Sequence, residues 1–295
     1  MQRLNWERDG QDWPHRAASR FVRAGGLAWH VQVMGAGPVV LLVHGTGAAT
    51  HSWRGVMPLL ARHFTVVAPD LPAHGFTDAP PSKGLSLPGM AASLTELVRV
   101  MEISPAVVVG HSAGAAILAR MCLDGAIAPR VLISLNGALL PLPAMPEELF
   151  GPVARVLLAC SFVPRFFAHQ ASSPSALQRL VDGTGSQLDA EGVSLYRKLA
   201  SNSGHVAAAL GMMANWGLRA LERDLPRLAV PLVLVTSDGD KTVPPAEARR
   251  VRLLLPAARH LCVPRLGHLA HEEDPVAFAG LIEEQARLAG VVPLA

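Results

Sequence analysis

The run Val107-Val-Val-Gly-His-Ser-Ala-Gly-Ala-Ala116 constrains the fold more than any other part of the chain. Three β-branched residues, Val107 to Val109, read as a buried strand that stops at Gly110. Ser112 follows between Gly110 and Gly114, and the Ala- and Leu-rich segment from Ala115 to Leu123 reads as a helix. Strand, tight turn and helix in that order put a hydroxyl at the apex of the turn. Glycines flank such a serine because the backbone turns too sharply for neighbouring Cβ atoms. An ordinary Gly-rich turn between a strand and a helix would show the same pattern, so the meaning of Ser112 depends on what else the chain supplies.

The flanking sequence supplies a sheet. Phe21 to Val33 reads as two strands broken at Gly25-Gly26, and Val39 to Val43 is apolar without interruption, as in a strand buried on both faces. That run ends in His44-Gly-Thr-Gly47. A helix is expected from Ser52 to Arg62, a strand at Phe64 to Ala68 ending in Pro69-Asp-Leu-Pro-Ala-His-Gly75, a helix from Leu87 to Met101, and a strand from Arg130 to Leu135. Strands alternating with helices predict an α/β fold with a mostly parallel, doubly wound sheet. At Asn136 the rhythm breaks. Prolines 141, 143 and 146 follow, then only helical patterns until about residue 225, before strands resume at Val230 to Val235 and His260 to Val263 and a helix closes the chain from Pro275 to Leu288. The expected organisation is a core of residues 1–140 and 226–295 with a helical cap, 141–225, inserted into it.

Composition narrows the partners. The chain has 295 residues, enough for one sizeable α/β domain with an insertion. Half of its residues are apolar and the mean hydropathy is +0.30, yet no run reaches the roughly 18 apolar residues of a spanning helix. The excess points to a buried sheet, an apolar pocket or a surface resting on a membrane. The charged N-terminus is unlike a signal peptide, and Cys122, Cys160 and Cys262 lack disulfide or zinc spacing, so a cytoplasmic location is the default expectation. With a net charge of +3 and arginines spread along the chain, nucleic acid is not an expected partner, whereas weak attraction to anionic lipid stays open.

A serine hydroxyl needs a base to become a nucleophile at neutral pH, and the base needs an acid to orient it. Thr236-Ser-Asp-Gly-Asp-Lys-Thr-Val-Pro-Pro245 follows one late strand and Pro264-Arg-Leu-Gly-His268 the other, so an acid and a base each arrive where open α/β sheets place their sites. His268 is the expected base, with His271 turned elsewhere. Asp240 is the favoured acid because it stands at the loop apex before Pro244-Pro245; Asp238 is the alternative, able simply to turn the chain. Backbone amides of Ala113 and Thr46 are the expected oxyanion donors, with Gly45 and Gly47 freeing the loop to turn inward. His111 is expected to pack near the pocket, Asp70 and His74 to hold a turn. His268 and His271 lack a third ligand in register, so no metal site or cofactor is expected.

Together, His44-Gly-Thr-Gly47, Asp70-Leu-Pro-Ala-His-Gly75, Gly110-His-Ser-Ala-Gly114, Asp240-Lys-Thr-Val-Pro244 and Gly267-His268 resemble the α/β-hydrolase fold superfamily across residues 20 to 290. One departure is Ala73, where that family's turn carries Gly. A narrower likeness rests on Leu4-Asn-Trp-Glu-Arg-Asp-Gly10, Trp13-Pro14, His44-Gly-Thr-Gly-Ala48 with His51-Ser-Trp53, Gly110 to Leu118 and Ser134-Leu-Asn-Gly-Ala138. These look like the magnesium-chelatase accessory proteins of the bacteriochlorophyll pathway. That resemblance implies a role around magnesium insertion into protoporphyrin IX, with magnesium-chelatase subunits as partners, and implies no particular reaction. The apolar stretches Val153 to Phe167 and His205 to Met213 with Trp216 suit a cap over an apolar substrate or a porphyrin, or a face in peripheral contact with a membrane.

Overall fold

Strands β1 (Ser19–Ala24), β2 (Leu27–Met34), β3 (Val39–Val43), β4 (Thr65–Pro69), β5 (Val107–His111), β6 (Val131–Leu135), β7 (Leu232–Ser237) and β8 (Arg259–Val263) form a single sheet in the computed structural model, which describes residues 3–141, 162–171 and 173–291. Their order is β1-β2-β4-β3-β5-β6-β7-β8. β1 and β2 pair antiparallel, β2 meets β4 antiparallel, and every pairing from β4 through β8 is parallel. The continuous apolarity of the central strands has its reason here. In β5, Val108 packs on one face with helices α1 (Leu87–Val100) and α2 (Ala113–Leu123), while Val107 and Val109 join Trp53, Met57, Phe278 and Ile282 on the other. The parallel strands present their carboxyl ends, and the loops beyond them, at one rim of the sheet.

The segment expected as one helix from Ser52 to Arg62 is instead a 3-10 turn, Thr50–Trp53, and a separate α-turn, Met57–Leu60. Pro58 has no N–H to give the Arg54 carbonyl, and the His15 side chain takes that carbonyl instead through Nε2 at 2.7 Å.

Between β6 and β7 the described residues form α3 (Phe162–Ala171), α4 (Pro174–Gly183), α5 (Ala190–Ala200), α6 (Ser203–Ala214) and α7 (Arg219–Asp224). Residues 142–161 and 172 of the expected cap, including the start of the Val153 to Phe167 stretch and Cys160, lie outside the described residues. α5 is bound to the core through a polar cluster centred on the buried Glu272 side chain. Arg54 bridges Glu272 (2.7 Å) and Asp189 (2.8 Å), and Tyr196 donates to Glu272 at 2.7 Å. The N-terminal segment completes that attachment. Trp13 packs with Leu195 and Leu199 and donates from Nε1 to Thr50 Oγ1 at 2.9 Å, while Lys198 reaches the Asp9 carbonyl and the Asp12 carboxylate. Helices α8 (Ala246–Leu254), between β7 and β8, and α9 (Pro275–Leu288) complete the layers.

Candidate active site

Ser112 sits between β5 and α2 at φ 51°, ψ −119°, a backbone conformation that a non-glycine residue keeps only when its surroundings impose it. The surroundings are visible in its two glycines. A Cβ on Gly110 would lie 2.4 Å from the Ala115 nitrogen, and one on Gly114 would lie 2.2 Å from the Val43 carbonyl oxygen. Any side chain there would push α2 away from β3 and flatten the turn.

His111, next to the serine, ties this elbow to the loop after β8. Its Nε2 donates to the His268 carbonyl at 2.9 Å and its ring lies 4.7 Å from the His268 ring. Burial, and then the neighbouring His268, push its basicity down to about 3, so it stays neutral and is no rival base.

His268 Nδ1 donates to Asp240 Oδ2 at 2.8 Å. The same oxygen accepts from Asn136 Nδ2 at 2.9 Å, and Oδ1 accepts from the Thr242 and Val243 amides at 2.7 and 2.9 Å. Burial alone would raise this carboxyl, but the donors and the imidazole outweigh it and hold it below its ordinary value. Asp238 faces elsewhere, its Oδ1 accepting the Arg265 amide at 2.5 Å. Of the two acids left open by the sequence, Asp240 meets His268 and Asp238 closes a turn. No hydrogen bond joins Ser112 Oγ to His268 among the described residues; the link between elbow and base runs through His111.

Ala113 is the first residue of α2, so its N–H has no acceptor inside the helix. The His44–Gly47 loop passes close by: a Cβ on Gly45 would lie 2.9 Å from Ser112 Cβ and 3.0 Å from His111 Nδ1. Thr46, half-buried, donates from Oγ1 to Met212 Sδ at 3.4 Å. His44 pins the loop to the turn after β4, its Nδ1 donating to the Gly45 carbonyl (2.7 Å) and its Nε2 accepting the Leu71 amide (2.9 Å). In that turn, Asp70 accepts from the Thr50 and Phe76 amides and from His30 Nδ1. Ala73, where the resembling family has Gly, stands at φ +66°.

His271 is directed away from the elbow serine, its Nε2 donating to Ser52 Oγ at 2.8 Å while that hydroxyl donates to Glu272. Among the described residues no group of three or more His, Cys, Asp or Glu side chains could hold a metal ion, and no helix is long and apolar enough to cross a membrane. Of the stretch suspected of lining a pocket, Met212 is buried on Thr46, Met213 is exposed and Trp216 packs on the core. Two participants escaped sequence reasoning. Asn136 stands in the sequence only at a break in rhythm and within the Ser134–Ala138 stretch of the resemblance, although its φ of +48° lets its amide reach Asp240, and His205 stands there only as part of an apolar patch.

A family model for the alpha/beta hydrolase fold matches residues 38–275. The protein named magnesium-chelatase 30 kDa subunit from Rhodobacter capsulatus is 36% identical over 273 residues, 92% of this chain and 95% of that one. Among solved structures, a serine hydrolase involved in carbazole degradation superposes with a TM-score of 0.73 at 22% identity, covering 92% of this chain and 98% of that chain. A thermophilic esterase from Thermogutta terrifontis superposes with a TM-score of 0.72 at 22% identity and the same coverage. The likeness to these two structures is one of fold.

Proposed function

The chain belongs to the α/β-hydrolase fold family, and from that premise we propose that it is a serine hydrolase acting on an ester or related acyl bond, serving the steps around magnesium insertion into protoporphyrin IX. The observation that carries the chemistry is the 2.8 Å contact of His268 Nδ1 with Asp240, on loops that meet a serine held at φ 51°. In this reading His268 Nε2 takes the Ser112 proton as Oγ attacks the acyl carbon, the Ser–His hydrogen bond forming around the bound substrate. The carbonyl electron pair moves onto oxygen, where the Thr46 and Ala113 amides receive it. The protonated imidazole, oriented and stabilised by Asp240, then gives its proton to the departing oxygen. Water repeats the sequence to free Ser112. The helices between β6 and β7 act as the cap of residues 141–225 on a core of 1–140 and 226–295, closing over an apolar substrate or a porphyrin.

The pathway assignment rests on a separate observation, the 36% identity across nearly the whole of the chelatase-named relative. It supports magnesium-chelatase subunits as partners. The rival reading is an ester hydrolase of an unrelated pathway. Labelling by a fluorophosphonate probe, lost in Ser112→Ala, tests the chemistry. Support of bacteriochlorophyll formation by the same variant tests whether that chemistry serves the pathway. We expect labelling of the unaltered protein and loss of pigment with the variant. No labelling would sink the hydrolase, and full pigment with Ser112→Ala would separate the triad from the biological role.

A further inference from the structure

Helix α6 lays one face across the loop that carries Thr46. Its residues 205, 209 and 212 follow the spacing of a single helical face, and each meets that loop. His205 Nε2 donates to the Gly47 carbonyl at 3.0 Å, a Cβ on Gly47 would lie 3.9 Å from Ala209 Cβ, and Met212 Sδ accepts from Thr46 Oγ1 at 3.4 Å. His205 also faces the turn after β4, its Nδ1 accepting the Gly75 amide at 3.1 Å. Asn202 caps the helix by accepting from the Gly204 and His205 amides, which fixes the turn bearing this imidazole. The ring is buried, and burial pushes its basicity down to about 4. A neutral imidazole has one donor and one acceptor, and the two loops offer it one carbonyl and one amide.

We propose that His205 is a positioning residue for the oxyanion loop: His44 holds the Gly45 carbonyl, in the same peptide plane as the Thr46 amide, and His205, by bridging Gly75 N–H and Gly47 C=O, with Met212 on Thr46, holds the far side of the loop and makes the placing of that amide depend also on the seating of α6. This rests on the reading of Thr46 as an oxyanion donor. Acyl chemistry is thereby tied to a helix between β6 and β7, and a molecule that lifts α6 slows the reaction without touching Ser112.

The test compares His205→Phe, which fills the ring volume with no hydrogen-bonding atom, with His205→Gln, which keeps a donor and an acceptor. Two readouts are taken: the rate of Ser112 phosphonylation with kcat and KM on a p-nitrophenyl ester, and amide hydrogen exchange across residues 45–48. The Phe variant should lose ~10-fold in phosphonylation rate and kcat with KM nearly unchanged, part of the ~10²–10³ that losing a whole oxyanion donor costs. Exchange at 45–48 should quicken. The Gln variant should regain most of both. A folded Phe variant with wild-type rate and wild-type exchange overturns the inference, as does a Gln variant that falls as far as Phe. If the Phe variant does not fold, Met212→Leu takes its place. It should lose about twofold to threefold in rate, a weak hydrogen bond's share, and an unchanged rate and exchange there overturn the inference. A wild-type protein that takes up no probe sinks the hydrolase reading alone, and the exchange comparison then decides whether His205 holds the loop.

Discussion

Two buried histidine–aspartate pairs stand in this molecule, and by distance they are almost the same. His30 Nδ1 meets Asp70 Oδ2 at 2.7 Å, and His268 Nδ1 meets Asp240 Oδ2 at 2.8 Å. The difference lies at the other end of each ring. His30 Nε2 is occupied by Ser19 Oγ at 2.9 Å, and both members of that pair are fully buried. His268 Nε2 has no partner among the described residues, and its side chain keeps 7% of its surface open to solvent. The first pair joins β2 to the turn after β4, where Asp70 also gathers the Thr50 and Phe76 amides. The second lies on loops past β7 and β8, at the rim that carries Ser112. An aspartate against a histidine is therefore no mark of catalysis by itself; the pair proposed to serve Ser112 differs in having one imidazole nitrogen held by the carboxylate and the other unspent at the rim.

Substitutions should pull the two pairs apart. Asp240→Asn should lower kcat on an ester by ~10³–10⁴, the scale seen when a triad histidine loses its orienting acid, with a smaller shift in the urea midpoint than the corresponding change at Asp70. Asp70→Ala should cost about 3–5 kcal/mol of stability, because it strips one partner from a buried pair and leaves two amides without an acceptor. Urea unfolding, with activity measured on the folded fraction, checks both. Equal stability losses at the two sites would erase the distinction.

Acid separates them more gently. Burial would raise Asp70, but His30 and the donated hydrogen bonds outweigh it and hold the carboxyl well below the carboxylate range. A carboxyl depressed on folding adds stability that is full above its unfolded pKa of about 3.9 and drains as the pH falls toward the folded value. The loss of stability between pH 5 and roughly pH 3 should accordingly be steeper in the wild-type protein than in Asp70→Asn. Parallel slopes in urea titrations at several pH values would contradict this. The smallest expected effect is in the same turn. Ala73→Gly removes a Cβ from a φ of +66° and should raise stability by roughly 0.5–1 kcal/mol, the left-handed penalty less the entropy a glycine costs.

How much of this the sequence carried depends on the range of the interaction. Strands and the elbow were legible because apolar runs, glycines and a serine are adjacent in the chain. The order of Ser112, Asp240 and His268 was legible because each follows a strand, and strand ends share a rim. The choice between Asp238 and Asp240 was a matter of turn geometry, and Asp238 is engaged 27 residues away by the Arg265 amide. The His30–Asp70 pair was invisible because it spans an antiparallel crossing from β2 to β4. His205 was invisible as a positioning group because its partners, Gly47 and Gly75, are backbone atoms more than a hundred residues away. The broken helix at residues 50–60 turned on one missing N–H, that of Pro58, outweighed in a pattern read by apolar spacing.

In the proposed triad the Asp240 pair, and not the Asp70 pair, serves Ser112. The most direct measurement is the rate at which a fluorophosphonate modifies Ser112, located by peptide mass spectrometry, in Asp240→Asn and Asp70→Asn proteins compared at equal folded fraction. The adduct on Ser112 is expected to form at least ~10²-fold more slowly in Asp240→Asn and at close to the wild-type rate in Asp70→Asn. Equal rates in the two variants, or an adduct on another residue, would contradict it.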